Sequence, residues 1–160
     1  MICAGMRACT GGSRCWPVGE RMTSSARRSE VSVDEVLLPV VGAARRTRDV
    51  ITDACLQWEM PHLVRPASLV ATELVTNAVQ HAQTMVDLSV LRGTEDLVIR
   101  VGDGSLDIPI PPVAWVIAAR CYEPDLGRGL TLVAATADHW GYEHVEGGKM
   151  VWAALRHGQR

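Results

Sequence analysis

Between residues 67 and 101 the spacing of apolar side chains changes from helical to alternating, and this switch restricts the chain to folds that combine helices with strands. With Val70 at 0° on a helical wheel, Val70, Ala71, Leu74, Val75, Ala78, Val79 and Ala82 fill an arc of about 180°. That arc is the predicted buried face of a helix starting near Ala67 or Ser68. Two runs of period two follow, Val86-Asp-Leu-Ser-Val90 and Leu97-Val-Ile-Arg-Val101, joined by Gly93-Thr-Glu-Asp96. They predict an antiparallel hairpin with one buried face.

The flanking segments extend this pattern. Val31, Val33 and Leu37 suggest a first strand, and Pro39 marks the break before a helix over about Val41 to Trp58. Arg45, Arg46 and Arg48 on that helix read as a solvated face, with partner binding as the alternative. Pro61 and Pro66 bracket a short connection. Residues 107 to 126 are irregular and carry Pro109, Pro111, Pro112 and Pro124. A helix then runs to about Asp138, and strands over Trp140 to Val145 and Met150 to Leu155 are joined by the turn Glu146-Gly-Gly148. Periodicity alone gives alternating helices and strands, without a topology.

A chain of 160 residues is the size of one domain with its own core. The net charge of −2 supplies no basic stripe, which gives no support to direct nucleic-acid binding. The five cysteines, at 3, 9, 15, 55 and 121, form no CxxC pair and lie away from histidine clusters, so free thiols in a reducing cytoplasm are expected rather than a zinc site. No apolar run reaches the ~20 residues of a membrane span, so neither membrane association nor a signal peptide is expected. Residues 1–30 are rich in Gly, Ser, Arg and Cys without apolar periodicity and are expected to be a disordered extension. The domain is expected over 31–156, with 157–160 as a tail.

Glu73, Asn77 and His81 are four residues apart on the predicted helix. A step of four advances about 40°, so they form a drifting row along one flank. Asn77 falls about 20° and Glu73 about 60° outside the buried arc, whereas His81 falls about 20° inside its edge. Thr72, Thr76 and Gln80 are expected to point further away. A row on the seam between core and solvent combines partial desolvation with access for a ligand. Ordinary flank residues of an amphipathic helix are the alternative. Two glycine segments add to the pattern. Gly102-Asp103-Gly104-Ser105 ends the second hairpin strand, and Gly127-Arg128-Gly129-Leu130 opens a helix, where free backbone amides attract phosphate oxygens. Taken singly, each of these is also an ordinary turn.

In this order, Glu-Leu-Val-Thr-Asn-Ala-Val-Gln-His (73 to 81), Val-Gly-Asp-Gly-Ser (101 to 105) with Pro109 downstream, and Gly-Arg-Gly-Leu (127 to 130) resemble the N, G1 and G2 boxes of GHKL ATPases. The chain is most similar to the small anti-sigma-factor serine kinases and their actinobacterial relatives, and the resemblance covers roughly Val31 to Leu155. It implies an α+β fold, a two-layer α/β sandwich of the GHKL (Bergerat) type whose mixed, mostly antiparallel sheet carries helices on one face. It implies ATP and Mg²⁺ as cofactors, with Asn77 as the magnesium ligand. An amide oxygen suits a hard cation that shares phosphate ligands. Glu73 then corresponds to the catalytic base that orients a serine hydroxyl. Asp103 corresponds to the acceptor for the adenine amino group, with Ser105 beside it. Gly127, Arg128, Gly129 and Leu130 correspond to the phosphate loop, and residues 109 to 126 to a lid. His81 is either a nucleotide contact or a structural seam residue.

The implied function is an ATP-binding regulatory protein, an anti-sigma-factor-type serine/threonine kinase. Its partners would be a sigma factor and an anti-anti-sigma antagonist that it phosphorylates on serine, and the resemblance also allows a homodimer. Two positions depart from the pattern. Met150 stands where many relatives carry a threonine whose hydroxyl serves the adenine edge, and Ser105 stands where many have glycine. Losing one hydrogen bond costs about 0.5–1.5 kcal/mol, so reduced nucleotide affinity is expected from Met150. The alternative function is a non-catalytic, nucleotide-responsive interaction module.

Overall fold

A computed structural model describes residues 31–107 and 128–157. Residues 1–30, the expected lid over 109 to 126, Gly127 and four of the five cysteines lie outside the described residues. The order is β1 (Val31–Leu37), α1 (Ala43–Gln57), a 3-10 turn (Pro61–Leu63), α2 (Val64–His81), β2 (Val86–Arg92), β3 (Asp96–Asp103), α3 (Arg128–Thr136), β4 (His139–Val145) and β5 (Gly148–Arg156). The fold is α+β, with a five-stranded sheet and three α-helices among the described residues.

Helix α1 presents Ala43, Thr47, Val50, Ile51, Ala54 and Cys55 to the core at helical spacing. Thr47, the polar member, donates its hydroxyl to the Ala43 carbonyl at 2.8 Å and so enters the core satisfied. The helix ends in a Schellman arrangement: Met60 N–H bonds to Cys55 O at 2.8 Å and Glu59 N–H to Leu56 O at 3.2 Å. Glu59 takes the left-handed position with φ 60, a conformation glycine would adopt at lower cost. Trp58 and Met60 are buried on either side of it, which ties the strained residue down. Of the basic trio, Arg46 grips Glu35 on β1 through two hydrogen bonds of 3.0 and 3.1 Å, and that contact holds the Glu35 carboxyl below its usual range. Arg45 and Arg48 are exposed.

Helix α2 starts at Val64, a turn before the expected Ala67 or Ser68. Pro66 falls in its first turn, where a missing N–H leaves no intrahelical bond unmade, so the proline does not delay the start. Val70, Ala71, Leu74, Val75 and Ala78 are buried as the wheel requires. His81 is not inside the buried edge but exposed. It is the last residue of α2, and Gln83, with φ 54, turns the chain away beyond it. Angle alone places a side chain over the core only where core lies beneath it. Thr72 departs in the other direction, since its Oγ1 is covered and without a hydrogen-bond partner.

The sheet order is β1-β2-β3-β5-β4, and every neighbouring pair is antiparallel. The expected mixed sheet is corrected in this respect. Strands β3 and β4 run the same way, but β5 is inserted between them and pairs with both, so no parallel pair forms. One cross-strand row, Val33, Val90, Ile99, Ala153 and Trp140, shows how the layers meet. Its three central members are fully buried and join Ile51, Val70, Leu74 and Val133 of the helices in a single core. Each such aliphatic side chain contributes about 1.5–3 kcal/mol on burial, and truncating Leu74 to alanine would cost about 2–5 kcal/mol. No helix among the described residues is long and apolar enough to cross a membrane.

Candidate functional site

The parity that buries Leu97, Ile99 and Val101 carries two residues further along β3 to Asp103. Its carboxylate therefore lies on the core face of the sheet, just past the last apolar layer. Directly opposite in the register stands Lys149, the second residue of β5. Lys149 Nζ donates to Asp103 Oδ1 at 2.8 Å, and the two side chains are 3% and 1% exposed. Ser105 N–H donates to the same oxygen, also at 2.8 Å, and Ser105 Oγ accepts from Asp107 N–H at 3.1 Å. Desolvating either charge alone would cost several kcal/mol, so the pair is stable in this place only as a pair.

Glycines bring the strands close enough for that contact. A β-carbon on Gly148 would stand 1.9 Å from the Asp103 carbonyl oxygen, so only glycine lets β5 approach the end of β3 this closely. Gly104 is pinned from the other side, because its N–H donates to Thr84 Oγ1 at 2.9 Å. Thr84 in turn donates to the Met85 carbonyl at 3.2 Å. An open cavity of about 350 Å³ lies here, lined among others by Thr84, Asp87, Asp103, Gly147, Lys149 and Met150. That volume is at the lower end of the range for small-molecule pockets.

The register sets Met150 apart from Asp103. Residue 150 pairs with Gly102, whereas 149 pairs with Asp103, so strand alternation turns Met150 to the opposite face of the sheet from the Asp103 carboxylate. Its Cε would lie 3.2 Å from a β-carbon at Gly102. The side chain that shares a face with Asp103 is Lys149. Sequence reading missed Lys149, although the signal was present: 149 is in phase with Val151, Ala153 and Leu155, all buried. A lysine in the buried phase of a strand needs an acidic partner. Thr84 was also missed, and nothing in the sequence pattern distinguishes it from a loop residue.

The helix row forms a second group. Glu73 and Asn77 are half-buried on α2, one turn apart, and His81 is exposed at its end. Gly129, in the first turn of α3, lies against Glu73: a β-carbon there would be 2.8 Å from Glu73 Oε2 and 3.7 Å from its Cβ. The fold thus joins the first and third sequence motifs. Arg128 begins α3, and Leu130 is buried in the core, where it anchors the start of that helix. Neither Glu73, Asn77 nor His81 lines the cavity at Asp103. Among the described residues no three His, Cys, Asp or Glu side chains converge as a metal-binding set. A cation held by Asn77 would draw its other ligands from water and a bound anion, as magnesium does in phosphate sites.

A scan against protein-family models finds no family that matches this chain. None of the curated proteins matches it either.

Proposed function

We propose that this chain is an ATP-binding regulatory protein of the GHKL class, acting in the cytoplasm as an anti-sigma-factor-type serine kinase. The observation that carries the reading is the contact of Glu73 with Gly129, which sets a half-buried carboxylate beside the first turn of α3. The five-stranded sheet with Asp103 at a strand end is compatible with a two-layer α/β sandwich, although it lacks the parallel pair of the mixed sheet that the resemblance implies. In this reading Asp103 accepts the adenine amino group. Asn77 holds Mg²⁺, which neutralises phosphate charge when bound. Glu73 orients a serine hydroxyl of the antagonist and takes its proton. The backbone at Gly127 and Gly129 approaches phosphate, Arg128 adds charge, and the sigma factor binds the same protein, as a monomer or a homodimer.

One observation favours a second reading, a nucleotide-responsive interaction module without kinase activity. Asp103 Oδ1 already accepts two hydrogen bonds from within the chain, which leaves a ligand only the other oxygen. Titration of the purified protein with labelled ATP, with and without Mg²⁺, followed by incubation with radiolabelled ATP and the antagonist, separates the readings. Binding with serine labelling is expected. Binding without label leaves the module, and no binding at millimolar ATP removes both nucleotide readings.

A further inference from the structure

The helices take one face of the sheet, and all three contribute to the same core. The other face carries one register row across all five strands: Val36, Asp87, Gly102, Met150 and Glu143. Gly102 at its centre has no side chain, so the row dips there. Met150 and Asp87 lean over the dip, with Met150 Cε 3.2 Å and Asp87 Oδ2 3.7 Å from where a β-carbon at 102 would lie. Both side chains line the cavity of about 350 Å³, as do Met85, Val145 and Glu146. Met85 and Val145 are themselves exposed, so the cavity is a trough open to solvent on this face.

An apolar collar adjoins the trough. Val36, beside Asp87 in the row, is 61% exposed, and Leu38 and Met85, which flank the register pair Leu37–Val86, are 61% and 49% exposed. Exposed apolar side chains gathered at one corner, unlike scattered ones, mark a surface that another molecule covers. The charges around it have one sign. Asp87, Glu143 and Glu146 are exposed and have no ion-pair partner among the described residues, whereas Lys149, which also lines the cavity, is neutralised by Asp103. We infer that this trough is a docking site for a protein partner that presents an arginine between aliphatic side chains. Arginine fits both parts of the surface, since its apolar stem lies along methionine side chains while its planar head pairs with a carboxylate. Asp87 holds the guanidinium, Glu143 and Glu146 add negative charge at the rim, and the flanking aliphatic groups cover Val36 and Leu38. The inference goes beyond the ATP-binding reading and does not depend on it, because the Asp103 carboxylate lies on the other face of the sheet.

Met85 and Met150 report on the trough directly. In NMR spectra of the intact protein with isotope-labelled methionine methyl groups, the peptide acetyl-Ala-Leu-Arg-Leu-Ala-amide is expected to move both resonances, assigned with Met85→Leu and Met150→Leu. Met60, buried in the core, should not respond. Exchanging the arginine for citrulline, a neutral side chain of the same shape, should weaken binding about three- to tenfold, between the worth of an exposed ion pair and that of a bidentate one. Asp87→Asn should weaken the arginine peptide by a similar factor and leave the citrulline peptide unchanged. Met85 and Met150 resonances that stay still at millimolar peptide overturn the site, and equal affinity for the two peptides overturns the assignment of arginine. Resonances that shift with protein concentration alone, with a doubled mass in solution, assign the face to a second copy of this chain and overturn the partner. ATP binding, or its failure, bears on none of these outcomes.

Discussion

Gly129 of α3 touches Glu73 of α2 at the carboxylate itself, so closely that a β-carbon at position 129 would come within 2.8 Å of Glu73 Oε2. The contact joins two motifs far apart in the chain. It also makes the carboxylate's position depend on a residue with no side chain.

Gly129→Ala should therefore act on Glu73 more than on the fold. The atom in conflict is the far end of a flexible side chain, and alanine favours the helix by about 1 kcal/mol over glycine, so thermal stability is expected to change little. If Glu73 is the base, phosphoryl transfer to serine falls in Gly129→Ala and in Glu73→Ala, while ATP binding largely survives in Glu73→Ala. Parallel Tm, binding and turnover measurements check this. Loss of ATP binding in a folded Glu73→Ala protein would remove the base assignment.

The elements were readable because their apolar residues keep one period over several turns or repeats. Leu74 and Ala78 on α2, and Leu97, Ile99 and Val101 on β3, take the faces their spacing demands. What sequence could not give was pairing order. Nothing local says that β5 enters between β3 and β4, and this insertion makes the sheet wholly antiparallel and sets Lys149 against Asp103. His81 was misplaced for a related reason, since a helical wheel describes angle and omits where the core ends. At the site, Glu73, Asn77 and Asp103 were legible from residue type and spacing. Lys149 was obscured because only the pairing register sets residue 149, and not its neighbour Met150, opposite Asp103.

Breaking the buried ion pair from one side should be more damaging than removing it. Lys149→Met leaves the Asp103 carboxylate with only the Ser105 amide on Oδ1, and a loss of about 3–5 kcal/mol is expected. Adding Asp103→Leu to Lys149→Met removes the orphaned charge, and the double variant should recover much of that loss. Urea denaturation of the two singles and the double, analysed as a cycle, measures the coupling. Additive losses would mean that the two charges do not stabilise each other.

Gly147 and Gly148 are adjacent in the β4–β5 turn but should respond differently to alanine. At Gly148 the new methyl would meet the Asp103 backbone, which cannot rotate away, so β5 must shift and the cost should reach or exceed the ~1–3 kcal/mol of an overpacked core. Gly147 faces open space, and its φ of 82 is the only obstacle, which limits the cost to about 1–2 kcal/mol. Denaturation midpoints rank the pair. The same variants bear on the site: Gly148→Ala, which displaces β5 against Asp103, should weaken binding in the cavity more than Gly147→Ala does.

Cys55 provides a pH signature of the folded core. Its side chain is fully buried on α1, and desolvation of the thiolate pushes the thiol from 9.0 up to about 11. The folded state therefore holds this proton more tightly than the unfolded chain does. Stability from this source is fully present below pH 9 and is lost as pH rises from about 9 toward 11, by up to about 2–3 kcal/mol for a shift of this size. Cys55→Ala starts from a lower stability because it leaves a small void, but it should lose less over the same interval. Tyrosine and lysine titrations are common to both proteins and cancel in the comparison. Urea midpoints at pH 8 and pH 10.5 should therefore converge for the two proteins at the higher pH, whereas parallel curves would show that the Cys55 thiol titrates as it does in the unfolded chain.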